Sequence, residues 1–245
     1  MSLTELIQSA QDLANPKRAH SSAWFFQTAP GQYGEGDQFL GLNMPDCRRL
    51  AKQHQTLTQS EVVLLLERPE HELRMIALLI WCYQYPHLNF ERRSEIYKQY
   101  LASAHRVNNW DLVDLSAPTL VGSYLYTYFT SKQICEQLSV LAHSKLLWER
   151  RIAMLACFYG IRHEQYLEGL MIAQILVTDH HDLIRKAVGW MLREIGKRDL
   201  QLERNFLDDN MDFLSRITIY YAIEKMSQPE RKKYLNLKKS TPSVR

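Results

Sequence analysis

HELRMIALLIW, residues 71–81, decides the fold. After Arg74 its apolar residues recur at spacings of three and four, the period of a helix. The same spacing returns in EVVLLLE (61–67), RIAMLACFY (151–159), IRKAVGWMLREI (184–195) and RITIYYAIEKM (216–226). The breaks between these stretches carry Pro69, Pro86, Pro118, Gly160 and Gly196. There are only 9 glycines and 8 prolines, and most of the glycine-rich sequence lies in one place, PGQYGEGDQFLG (30–41), so strand and turn signals are few. The pattern predicts an all-α chain.

Self-similarity sharpens that prediction. HELRMIALLIW, LWERRIAMLACF (147–158), HDLIRKAVGWMLREIG (181–196) and FLSRITIYYAIEKM (213–226) each set an arginine just before an apolar helix. Trp110 and Trp148 are 38 positions apart, which falls in the roughly 35–47 residue range of two-helix solenoid repeats. Stacked antiparallel helix pairs would make a curved solenoid with one helix of each pair on the concave side. Arg74, Trp110 with Asp114, Arg150 or Arg151, Arg185 with Trp190, and Arg216 would then converge there.

A chain of 245 residues, 46% hydrophobic and 23% charged, has the composition of a soluble globular protein that can bury a sizeable core. The opening MSLTELIQSAQDL lacks the basic region and apolar run of a secretory signal, and no apolar stretch approaches a membrane span. Cys47, Cys82, Cys135 and Cys157 show no CxxC pairing and read as reduced thiols, so the expected compartment is the cytoplasm. A net charge of +3 permits an acidic partner without demanding one. Basic residues recur in CRRLAK, ERRIAM, LIRKAV, REIGKR and the C-terminal RKKYLNLKK. On successive helices they make either a phosphate-facing stripe or a solvated outer face, and composition alone favours the second.

HRVNNWDLVDLSA (105–117) is the unusual stretch. Residues four apart share a helix face, so Trp110 and Asp114 should point the same way. Together with FFQTAPGQYGEGDQFLG (25–41), WERRIA (148–153) and GWMLREIGKR (189–198), NNWDLVD resembles the DNA alkylation repair glycosylases of the AlkD type, over about residues 23–225. The resemblance implies HEAT-like repeats cradling duplex DNA. It also implies a monofunctional glycosylase, a hydrolase that cleaves the N-glycosidic bond of cationic N3- or N7-alkylated purines without flipping the base. By the same resemblance Asp114 is the catalytic carboxylate, Trp110 and Trp190 flank the lesion, and an arginine of WERR grips the adjacent phosphate. Spacing to Trp190 favours Arg151 over Arg150. Further DNA contacts are expected from Arg74, Arg150, Arg185, Lys186, Arg193, Lys197 and Arg216.

No cofactor and no metal site are expected. The partner is duplex DNA carrying alkylated bases, with no membrane, and the protein is expected to act as a monomer. One HEAT-like domain should span 1–230, with a basic tail over 231–245. Trp24, Trp81 and Trp148 read as core, as isolated tryptophans in helices usually are. Asp111 is the second choice of catalytic carboxylate. GQYGEGD (31–37) lacks the preceding strand and the lysine of a phosphate-cradling loop, so it reads as a tight turn between N-terminal helices, with Trp24, Phe25 and Tyr33 close enough to touch DNA. His180 and His181 diverge on a helix and read as loop residues, not metal ligands. The alternative function is a non-catalytic HEAT-like scaffold that binds DNA structures. A protein-binding solenoid is a distant third, since it would not need arginine at so many matching positions.

Overall fold

The computed structural model describes residues 2–240, with side chains through 237. Helices begin where a side chain can take the first unpaired N–H groups. Ser2 with Glu5 caps α1 (Leu3–Asp12) reciprocally. Asn15 opens α2 (Pro16–Phe25) and Asn43 opens α3 (Met44–Gln53), each with a proline in the first turn, where its missing N–H is no loss. Thr58 with Glu61 caps α4 (Gln59–Leu66). The helix α5 (His71–Gln84) has no side-chain cap and is instead buried at every position from His71 to Trp81. Burial, at roughly 1.5–3 kcal/mol for each large apolar side chain, stabilises it where capping does not.

The order then runs through α6 (Phe90–Ala102) and α7 (Trp110–Ala117) to a π-helical turn, Pro118–Gly122, and α8 (Ser123–Tyr128). Thr130 with Gln133 caps α9 (Ser131–Ala142), and α10 (Leu147–Arg162) repeats the uncapped, buried character of α5. The remaining helices are α11 (Leu167–Leu176), α12 (Asp182–Gly196), α13 (Leu200–Asp209), α14 (Arg216–Ala222) and α15 (Gln228–Ser240). Among the described residues there is no strand, only an isolated bridge between Gln38 and Glu70, so the all-α class is the one the periodicity predicts.

Two compact units divide the chain, Met1–Tyr124 and Leu125–Arg245. In the first, α5 packs against α3, α4 and α7; in the second, α10 packs against α9, α11 and α12, and α12 against α13 and α14. The α12 and α14 backbones meet closely at Gly189, where a Cβ would lie 2.4 Å from the Thr218 carbonyl oxygen. The domain expected over 1–230 runs through both units. Residues 231–240 of the expected tail continue α15, and 241–245 lie outside the described residues. No described helix is long and apolar enough to cross a membrane.

Trp81 and Trp148 are core, but Trp24 is not: it is 82% exposed. The reason lies in α2, PKRAHSSAWF, which has no apolar stripe and buries no residue. The glycine-rich segment is also more than a tight turn, since it links α2 to α3 over residues 26–43. Glu72 anchors it by accepting from the backbone N–H groups of Leu40, Gly41 and Leu42 at 2.9, 2.7 and 3.2 Å. Gly41 has φ +80° and a Cβ there would lie 2.2 Å from the Asn15 carbonyl oxygen, so only glycine fits.

Candidate functional site

In the first unit the candidate groups gather at the start of α7. Asn109, fully buried, accepts from the Trp110 N–H at 2.8 Å. Trp110 and Asp114 are both half-buried and stand four residues apart within α7, a spacing that puts the indole and the carboxylate on the same side of the helix. The indole packs on Phe26 at 5.5 Å and edge-on to Phe25 at 6.0 Å between centroids, and its Nε1 donates to the Tyr33 hydroxyl at 3.3 Å. The glycine-rich segment and the end of α2 therefore form one wall beside Trp110.

Asp111 has a different environment. Its Oδ1 accepts from the Leu112 N–H at 2.8 Å and its Oδ2 lies 2.9 Å from His71 Nε2. The other imidazole nitrogen, Nδ1, is 3.4 Å from Asp37 Oδ2, while Asp37 Oδ1 accepts from Arg74 at 2.7 Å and from Asn108 at 2.9 Å. Burial alone would raise the Asp37 carboxyl, but His71, Arg74 and Asn108 together hold it below the usual carboxylate range. Both Asp111 oxygens are thus taken up within this cluster.

Arg74 requires a correction. Its side chain is 1% exposed, and besides Asp37 it donates to the carbonyls of Arg68 and Pro69 at 3.1 and 2.8 Å. It ties α5 to its neighbouring loops and presents no guanidinium to a phosphate.

In the second unit, Arg150 and Arg151 start α10. Arg150 pairs with Asp179 at 2.7 Å and donates to the Ser144 and Lys145 carbonyls, with 18% of its side chain exposed. Arg151 is 4% exposed and donates to the Leu183 carbonyl in the first turn of α12. Of the two adjacent arginines, Arg151, the one expected to grip the phosphate, is the more deeply buried. Arg185 donates to the Asp179 carbonyl at 2.8 Å and pairs with Asp182 at 3.2 Å. His181 caps α12, its ring accepting from the Leu183 N–H at 3.1 Å.

Further along α12, Trp190 is half-buried, 5.7 Å from the Phe158 ring, and donates from Nε1 to Glu194 at 3.2 Å. Burial would raise the Glu194 carboxyl, but Lys197 and Trp190 hold it below the usual range. Lys197 pairs with Glu194 and Arg193 with Glu224, so both expected DNA contacts already carry an acidic neighbour. Arg216 is exposed and Lys186 half-buried. The sequence reading missed His71 and Asp37 altogether. Nothing in their spacing links a glycine-rich loop to the first turn of α5.

The sequence model of the DNA alkylation repair enzyme family matches residues 6–226. No curated protein matches the chain. Among solved structures, a predicted DNA alkylation repair enzyme from Enterococcus faecalis superposes with a TM-score of 0.66 at 16% identity, covering 88% of this chain and 97% of its own. At that identity the likeness establishes a shared fold.

Proposed function

The chain belongs to the DNA alkylation repair enzyme family, and from that premise we propose that it is a monofunctional glycosylase releasing cationic N3- and N7-alkylated purines from duplex DNA. The observation that carries the proposal is α7, where the indole of Trp110 and the carboxylate of Asp114, four residues apart and both half-buried, share one helix face. As the bond between the base nitrogen and C1′ breaks, its electron pair goes to the base, which was cationic and leaves neutral. No proton donor to the leaving group is needed. The sugar becomes oxocarbenium-like, and the Asp114 carboxylate stabilises that charge. Water then forms the new bond at C1′ and gives its proton to Asp114. The Trp110 face favours the same positive charge through its ring quadrupole. In the second unit, taken by itself, Trp190 is proposed to offer its ring to the duplex and Arg150 its guanidinium to a phosphate, since guanidinium forks suit phosphate oxygens. Because the cationic base is already activated, this chemistry requires no base-reading pocket, and the base stays stacked.

Incubation with methylated duplex DNA and identification of free bases tests the proposal. Release of 3-methyladenine or 7-methylguanine, with uracil left in place, is expected. Tight duplex binding with no base released would favour the scaffold reading instead.

A further inference from the structure

A buried row of alternating charge runs beneath the proposed catalytic turn: Arg74, Asp37, His71 and Asp111. The His71 side chain is 4% exposed and lies against the rings of Phe39 and Phe26 at 4.8 and 5.0 Å, and Phe26 in turn touches Trp110. Two carboxylates face the two nitrogens of this one ring. A neutral imidazole has a single N–H and would leave one carboxylate facing a lone pair, so only the imidazolium donates to both. In that form the two cations and two anions of the row cancel, which is how a charged ring is tolerated between phenyl groups.

Resting on the function proposed above, we propose that His71 is a positioning residue for base release: as an imidazolium it holds Asp111, fixes the first turn of α7, and so sets the direction of Trp110 and Asp114. Asp111 suits this role because its second oxygen accepts from the backbone of that same turn. The groups facing His71 are Asp37 from the glycine-rich segment, Asp111 from α7, Glu72 and Arg74 from its own helix, and Cys47 from α3. Burial pushes the Cys47 thiol up to about 12, so it stays neutral. Burial alone would lower the His71 value, but Asp111 and Asp37 raise it from 6.5 to about 9. The link is therefore complete below pH 6.5 and lost as pH rises through about 9.

Labelled protein allows a test by nuclear magnetic resonance of the His71 ring nitrogens and the Trp110 indole N–H, beside single-turnover base release from methylated duplex up to about pH 10. Both ring nitrogens should be protonated near neutral pH, and the Trp110 signal should move with the same midpoint as His71. His71→Gln should slow release about tenfold near neutral pH at saturating duplex, and should lack the alkaline loss that the unmodified protein shows beyond the substrate's own response. Should that variant fail to fold, Asp111→Asn should bring the His71 midpoint down toward its ordinary value. A neutral ring at neutral pH, a Trp110 signal indifferent to His71, or an unmoved midpoint in Asp111→Asn overturns the proposal. If the unmodified protein releases no base, the proposed function fails while the resonance measurements still decide whether His71 anchors the turn.

Discussion

Among the buried carboxyl groups, Asp37 of the first unit and Glu203 of the second are treated in opposite ways. In the first, the Asp37 side chain is 3% exposed and receives hydrogen bonds from Arg74, His71 and Asn108, which hold it ionised. In the second, Glu203 is 2% exposed, its Oε1 has no hydrogen-bond partner, and burial pushes it up to about 8 despite the opposing charge of Arg193. It fits there because α12 ends at Gly196, where a Cβ would lie 1.6 Å from its Oε2. Burial penalises both charges, and the number of donors decides which one survives. The first arrangement fastens the turn that carries Trp110 and Asp114; the second holds a proton at neutral pH.

The largest effect expected from breaking this contrast is that of Asp37→Ala. It strands Arg74 and His71 without their shared anion, and loss of one partner from a buried ion pair costs about 3–5 kcal/mol. Urea unfolding measures it, and a loss below about 1 kcal/mol would show that the row of charges is not a unit. Glu203→Gln should act in the opposite direction. The folded value of Glu203 is raised above the ordinary 4.5, so its contribution is full below 4.5 and is lost as pH rises through about 8. Glutamine stays neutral throughout, so the variant should be more stable than the parent by about 1 kcal/mol or more on the alkaline side and no more stable in acid. Parallel stability curves for the two proteins would contradict the buried-proton account.

The arginines of α10 sharpen the same lesson at smaller scale. Arg150→Ala should weaken duplex binding whatever the sequence and reduce the slope of log affinity against log salt by about 0.9, the value for one phosphate. Arg151→Ala should leave that slope unchanged and lower thermal stability, because its guanidinium serves the Leu183 carbonyl. The reverse pattern would restore Arg151 as the phosphate ligand.

These differences mark where sequence reading stops. Helices were legible because apolar period and cap residues are local, as at Thr58 with Glu61 or in residues 71–81. The shared face of Trp110 and Asp114 was legible for the same reason. Arg74 was misread because an arginine in the first turn of a helix looks solvent-facing until Asp37, brought by a loop 37 positions earlier, is seen to pair with it. Trp24 was misread because its helix has no buried side, which a lone tryptophan does not reveal. Glu203 gave no signal at all, since its burial depends on packing against the end of α12.

The account turns on Asp114, and single-turnover base release by Asp114→Asn tests it most directly. The substitution keeps size and removes charge from a group whose attraction to the sugar grows only toward the transition state. Release should fall at least about tenfold, equivalent to about 1.4 kcal/mol, with duplex affinity unchanged or slightly higher because an anion has been removed beside phosphates. Unaltered release by a folded Asp114→Asn protein would contradict the assignment and move it to Asp111.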